Sequence, residues 1–459
     1  MGSPHFTTGL ACALTLVVAT TLGACHSEPC PACATVDACP SAPPASPPQE
    51  DEPPLALSSP ADASAPLDGA APTLGAEVVR LGVDVLLDRE IHRIAGKRVG
   101  LITNASGVDG NLVPTVDRFA ADGRFELVQI YAPEHGLRGA LPAGQRFEDE
   151  VDPVTGVPVE SLYGKRTAPS AATLSQLDLL VFDIQDVGSR TYTYTSTMGL
   201  AMQAAAKAQI PFMVLDRPNP LGGLRVEGPI REQRYQSFVG WGPTPVSHGM
   251  TVGELAAFFN AELAIGADLQ VIPMEGWRRE MVWEDTGLIW VPTSPNIPHS
   301  HSAHLYIATG MVAGVSRNID EGAHYTMPFE TIAATFIEPQ AFVQALQAQN
   351  LPGVLLRPIV YRPAKNRFGG QTAAGVQLIV VDPRAFRPLH TALALFSTIE
   401  RLYPDQLEVR SPRSFARIWG QSEVRERLRN GESPEDIAAS WADDLATFAA
   451  ARAPHLIYP

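Results

Sequence analysis

Leu177-Asp178-Leu179-Leu180-Val181-Phe182-Asp183-Ile184, running straight into Gln185-Asp186-Val187-Gly188-Ser189-Arg190, is the stretch on which the fold turns. The first segment is strand-sized and apolar at both alternations, the pattern of a strand covered on both faces inside a parallel sheet. Where it stops, carboxylates, a glycine and an arginine begin. The same order occurs three more times. Residues 98–103 lead into Thr103-Asn104-Ala105-Ser106-Gly107, residues 125–131 into Ala132-Pro133-Glu134-His135-Gly136-Leu137-Arg138-Gly139, and residues 212–215 into Asp216-Arg217-Pro218-Asn219-Pro220. Ligands of open parallel sheets bind outside the carboxyl ends of the strands, so these four polar loops are expected to converge on one crevice.

Between the apolar runs lie segments sized for helices at 113–121, 196–208 and 251–263, the last opened by Thr251 as N-cap with Glu254 three residues on. Alternating strands and helices predict a doubly wound α/β domain over 78–298. Beyond Pro298 the pattern changes. Apolar runs at 305–312, 354–361 and 375–381 precede two terminal helices, one begun by Ser433 and Pro434 and carrying Trp441, Leu445 and Phe448 on a single face. This part reads as a smaller α+β domain over 299–459, with His299, His301 and His304 in an exposed polar loop.

The formal charge of -15 and the absence of a Lys/Arg run argue against nucleic acid as a partner and favour a small or neutral substrate. All five cysteines lie at or before position 39, which excludes thiolate chemistry from the folded part. An apolar stretch too short to span a bilayer ends in Leu22-Gly23-Ala24-Cys25, the form of a lipobox. Residues 1–25 are therefore expected to be a lipoprotein signal peptide with Cys25 as the acylated residue, anchoring the chain to a membrane of the cell envelope. Residues 26–77, rich in Pro, Ala and Ser, are expected to form a disordered linker.

The crevice would collect the carboxylates Glu134, Asp183, Asp186 and Asp216, the arginines Arg138, Arg190 and Arg217, and His135, with Tyr192 and Tyr194 close by. Cleavage of a glycosidic bond uses one carboxylic acid to protonate the leaving oxygen and usually a second carboxylate as base or nucleophile. An Asp that ends a strand more often caps the next helix or pairs with an Arg, and Asp183, Asp186 and Asp216 each carry that alternative. Glu134 sits between Pro133 and Gly136 with no helix start to cap, which makes it the leading catalytic candidate, followed by Asp183 and Asp186. There is no Gly-x-Ser-x-Gly elbow, His-Glu-x-x-His helix or Walker loop, and no His or carboxylate pair has a diagnostic metal spacing, so neither cofactor nor metal is expected.

The four loops, together with His248-Gly249-Met250-Thr251 and Ser294-Pro295-Asn296-Ile297-Pro298, resemble the exo-β-N-acetylmuramidases of the NamZ type, earlier known only as domain-of-unknown-function family 1343. The resemblance covers about residue 82 to 459. It implies a Rossmann-like domain followed by a smaller domain, with the active site in the cleft between them. It also implies release of N-acetylmuramic acid from the non-reducing ends of peptidoglycan fragments, with Glu134 as the catalytic glutamate. Substrate-binding residues are then expected at Asn104, His135, Arg138, Arg190, Tyr192, Asp216, Arg217, Asn219, His248 and Asn296, one of the arginines clamping the lactyl carboxylate of the sugar. The chain departs from the family pattern at Ala313-Gly314-Val315-Ser316 and Ala323-His324-Tyr325-Thr326, where Arg317 and His324 are the residues able to compensate. Two other readings stay open: an envelope protein that binds wall fragments without cleaving them, and a metal-dependent envelope hydrolase.

Overall fold

Alternate residues of the central strands face different cores, which is why the runs look unbroken in the sequence. Val99 and Leu101 pack with Leu179, Val181, Met213 and Leu215 on one side of the sheet, while Ile102, Leu180, Phe182, Phe212 and Val214 pack on the other. Burial of such side chains is worth about 1.5–3 kcal/mol each. The computed structural model describes residues 78–364 and 367–459; the expected leader, its Cys25 and the linker lie outside the described residues.

The first sheet comprises β1 (Arg98–Thr103), β2 (Glu126–Ala132), β3 (Glu150–Val151), β4 (Pro158–Ser161), β5 (Leu179–Asp183), β6 (Phe212–Leu215) and β7 (Leu269–Ile272). Their order is β3-β4-β2-β1-β5-β6-β7, with every neighbouring pair parallel except β3 and β4. The chain runs from β1 outward through β2 to β4 and then returns to the other side of β1 at β5. That reversal is the topological switch point of the sheet, and the loops after β1, β2 and β5 border it.

The helices follow the expected amphipathic segments closely, as Thr115–Ala121, Thr193–Ala208 and Val252–Glu262. Thr251 and Glu254 form the expected capping box, the Thr251 Oγ1 accepting from Glu254 N at 3.3 Å and Glu254 Oε2 from Thr251 N at 3.1 Å. A second, antiparallel sheet of β8 (Thr331–Ala334), β9 (Val354–Tyr361) and β10 (Ala373–Val380), ordered β8-β10-β9, shares a core with the helices Ser300–Ala313 and Pro388–Leu402. The architecture is thus a mostly parallel α/β sheet followed by a smaller α+β part.

Two expectations fail in the second half. Residues 299–304 do not form an exposed loop: Ser300 opens a helix, and His304 is fully buried on its inner face. The helix begun by Ser433 stops at Ala439, where the Ser440 hydroxyl donates to Ile437 O at 2.7 Å. Trp441 instead caps a separate helix, Ala442–Arg452, which carries Phe448 against Phe258 at 5.4 Å between ring centroids. Among the described residues no helix is long and apolar enough to cross a membrane.

Candidate active site

Glu134 occupies the turn that leaves β2. His135, the next residue, has φ 75° and Gly136 φ 73°, so two successive left-handed residues bend the backbone sharply. A non-glycine residue there is strained, and its imidazole is tied down through Nδ1 to Leu141 O at 2.8 Å. The Glu134 carboxylate is half-buried and accepts from two directions: Gly144 N at 2.9 Å on Oε1 and the Thr193 hydroxyl at 3.1 Å on Oε2. The Tyr163 phenol also bonds to it, and burial together with the Glu134 charge pushes that phenol up to about 12.

An aromatic wall stands beside this carboxylate. Tyr192 meets Tyr194 edge-on at 4.9 Å and Tyr306 at 5.4 Å, and Tyr306 meets Phe329 at 5.0 Å. The Tyr192 hydroxyl pairs with Thr293 Oγ1 at 2.8 Å and Tyr194 donates to Thr293 O at 2.5 Å, while Asn104 hydrogen-bonds to Tyr194. Burial, reinforced by the negative charges of Glu134, Asp186 and Glu321, pushes the Tyr306 phenol up to about 12. Tyr306 comes from the helix Ser300–Ala313, so both halves of the chain build the site.

Asp186 is fully buried at the turn after β5. Its Oδ2 accepts from Gly188 N at 2.7 Å, and its Oδ1 has no hydrogen-bond partner among the described residues. Burial pushes its carboxyl up to about 7, so it holds its proton under mildly acidic conditions. Gly188, at φ +78°, is required here, because a Cβ would lie 2.3 Å from Asn219 Oδ1.

Most of the other expected site residues are engaged in structure. Asp183 does not reach the crevice: both its oxygens accept from Arg217, at 2.6 and 2.8 Å, one also from the Thr115 hydroxyl at 2.5 Å, and the pair is buried. Asp216 holds the start of the helix Val252–Glu262 through Gly253 N (2.8 Å) and the Thr251 hydroxyl (2.8 Å), and accepts from the Tyr458 hydroxyl (2.5 Å) near the C-terminus. Burial, against these donors, leaves it at about 6. Asn219 closes its own loop, accepting from Leu221 N and donating to Met250 O.

The three arginines are likewise committed. Arg138 binds Asp117 at 2.8 Å and Asp152 at 2.7 Å; Arg190, pulled down to about 9 by burial, donates to the carbonyls of Pro229, Thr244 and Ile418; Arg217 belongs to Asp183. His248 is enclosed, accepts from Met250 N at 3.2 Å, and is kept neutral by burial, which pulls it down to about 3. Asn104 accepts from both the backbone and the hydroxyl of Ser106, at 2.9 and 2.6 Å. Asn296 is half-buried in the turn closed by Ile297 N and Ser294 O at 3.0 Å.

In the departing segment Arg317 lies outward, donating to Arg410 O, whereas His324 Nδ1 is 2.7 Å from the buried Asp320 Oδ2. A cavity of about 500 Å³ bounded by Leu221, Arg225, Glu227, Arg279 and Phe386 shares no lining residue with the Glu134 group. Among the described residues no three His, Cys, Asp or Glu side chains are grouped to hold a metal ion. Sequence reasoning missed Tyr163, Thr193 and Tyr306. Tyr163 had a usable signal: the short strand Pro158–Ser161 is a fifth run of the same kind, and Tyr163-Gly164 follows it as the other polar loops follow theirs.

The model of the exo-β-N-acetylmuramidase NamZ N-terminal domain matches residues 99–301, and that of the NamZ C-terminal domain matches residues 304–458. The chain is 45% identical over 380 residues to the peptidoglycan β-N-acetylmuramidase NamZ of Bacillus subtilis (strain 168), a match covering 83% of this chain and 91% of that protein. Two crystal structures of DUF1343 family proteins from Bacteroides fragilis NCTC 9343 superpose with TM-scores of 0.77 and 0.66, at 38% and 27% identity. Each covers 83% of this chain and 99% of the other.

Proposed function

The chain belongs to the NamZ family of exo-β-N-acetylmuramidases, and from that premise we propose that Glu134 is the acid/base at which its glycosidic bond is cut. The protein is an exo-acting glycoside hydrolase that removes N-acetylmuramic acid from the non-reducing ends of peptidoglycan fragments. One observation carries the assignment of Glu134: its carboxylate stands half-buried at the switch point of the sheet, oriented by Gly144 N, Thr193 and Tyr163, against a wall of tyrosines.

In this reading Glu134 moves the proton at the glycosidic oxygen, and its three donors keep the carboxylate aimed at the bond. Asp186 is the second carboxyl of the pair. Burial pushes its carboxyl up to about 7, so near neutral pH it can release its proton and act as base or nucleophile beside the acid, the division of roles that a pair of glycosidase carboxyls requires. Tyr192 and Tyr306, packed edge to face, form part of the wall of the site. Incubating the protein with a chromogenic β-N-acetylmuramide tests the activity, and absence of release at any pH would sink the hydrolase reading.

The location belongs to the same proposal. Leu22-Gly23-Ala24-Cys25 supports acylation at Cys25 and tethering of the hydrolase to an envelope membrane by lipid, with residues 26–77 as spacer. Intact-mass measurement of the membrane fraction should show diacylglyceryl-Cys25 as the first residue. Mature protein that retains Met1 to Ala24 overturns the anchor.

A further inference from the structure

A muramyl substrate carries a carboxylate that the site must recognise, and Arg138, Arg190 and Arg217 all have internal partners. Arg146 differs from them. It lies two residues beyond Gly144, whose N–H donates to Glu134 Oε1 at 2.9 Å. Its aliphatic stem runs along Gly164, where an added Cβ would meet Arg146 Cβ, Cγ and Cδ at 3.4, 3.5 and 3.6 Å. Gly164 adjoins Tyr163, the phenol bonded to Glu134, and the Arg146 charge is close enough to that phenol to oppose its upward shift.

The acids next to Arg146 in the chain are already taken, Glu148 by Lys165 at 2.8 Å and Asp149 by Arg166. The Arg146 side chain is exposed and, among the described residues, makes no hydrogen bond or ion pair. An unpaired guanidinium whose stem packs along Gly164, beside the Tyr163 that bonds Glu134, offers a planar fork of donors to an anion arriving with the substrate, and a carboxylate matches that fork in both geometry and charge. We propose that Arg146 is the specificity-determining residue of the site and receives the lactyl carboxylate of the terminal muramyl unit. The proposal rests on the muramidase reading above, and it gives the discrimination between N-acetylmuramic acid and N-acetylglucosamine a single named residue.

Calorimetric titration of the full chain with N-acetylmuramic acid and with its methyl ester, alongside turnover of the chromogenic muramide, tests it in wild type, Arg146→Ala and Arg146→Lys. Losing a charge-assisted contact should weaken binding of the acid and raise KM by roughly 10- to 100-fold in Arg146→Ala, with kcat changing by a few-fold at most. Binding of the ester should not move, Arg146→Lys should recover part of the loss, and the melting temperature should hold, since the side chain is exposed. An Arg146→Ala protein that keeps the wild-type preference for acid over ester overturns the assignment. So does a wild type with no such preference, even if it cleaves the muramide normally. A wild type that prefers the acid but cleaves nothing defeats the hydrolase reading instead, and leaves the Arg146 comparison to be decided on Kd alone.

Discussion

The loop after β2 and the loops after β5 and β6 carry similar inventories of carboxylates and arginines at the same edge of one sheet, yet they use them differently. After β5 and β6, Asp186 apart, the charged groups are held inside the fold: Asp183 by Arg217, Asp216 by a helix start and Tyr458, Arg190 by three carbonyls. After β2 the acid is satisfied by weak neutral donors and stays half-exposed, and Arg146 stays unpaired. A buried ion pair is rigid and chemically silent, because moving either charge leaves the other unpaired in a poorly polarisable interior. A carboxylate held by a backbone N–H and hydroxyls can exchange a proton without the loop coming apart. The difference separates residues that build the crevice from residues that act in it.

The largest effect should come from the acting side. Glu134→Gln keeps shape and most hydrogen bonding but removes the transferable proton, so turnover should fall by about a hundredfold to ten-thousandfold while thermal stability barely changes. Steady-state kinetics and calorimetry on the same preparation check both halves. Near-normal turnover would erase the contrast between the two loops and shift attention to Asp186.

On the building side the outcome should invert. Arg217→Ala leaves Asp183 buried with its main partner gone, a change expected to cost about 3–5 kcal/mol of stability. Denaturant unfolding should show the midpoint falling steeply, and any protein that still folds at low temperature should keep most of its kcat. If stability is unaltered and kcat collapses, Asp183 and Arg217 belong to the reaction after all.

What the sequence could reveal here is local, and what it hid is non-local. The ends of β1 and β6 are visible because an apolar run stops at a polar residue, and the capping box of Thr251 and Glu254 is visible because both partners lie within one turn. Glu134 stood out because Pro133 and Gly136 leave it no capping role. Asp183 and Asp216 look equally catalytic in one dimension, since nothing near them announces that Arg217 lies 34 residues on or Tyr458 another 242 away from Asp216. His304 misled for a related reason: its Ser and His neighbours read as polar loop, and only tertiary packing, which sets its buried imidazole near Glu284, makes that part of the chain an inward-facing helix.

Asp186 lies between the two classes, and pH can sort it. Its folded carboxyl is raised to about 7 from 3.8, so between those values the folded state holds a proton that the unfolded chain has released. Stability from this group is therefore present below about pH 4, falls by up to about 1.4 kcal/mol per pH unit through the window, and levels off above 7. Asp186→Asn removes the titration, so its melting temperature should gain on wild type steadily from pH 4 to pH 7. Asp216, also raised, contributes the same slope to both proteins and cancels in the difference. A difference that stays flat with pH would mean Asp186 is not buried with its proton. If Asp186 is the second carboxyl of the reaction, the variant should also lose at least about tenfold in turnover.

The smallest effect is the most discriminating for the β2 loop. Thr193 is the first residue of its helix and donates to Glu134 Oε2 at 3.1 Å, a contact made between side chains whose backbones are otherwise fixed by the sheet and the helix. Thr193→Val keeps the branched shape and removes only the donor. If that bond merely stabilises the loop, its loss should appear as about 0.5–1.5 kcal/mol in unfolding and leave kcat alone. If it aims Glu134, the same energy should appear in the barrier as a roughly two- to tenfold drop in kcat, with KM and melting temperature close to wild type. We expect the second pattern, because Glu134 Oε1 remains tethered to Gly144 N and the carboxylate would be freed to swing, not released. Adding Thr193→Val to Glu134→Gln gives the decisive comparison: with no transferable proton left to aim, the second substitution should cost nothing further in kcat. A further loss of the same size in the double variant would show that Thr193 acts on something other than Glu134.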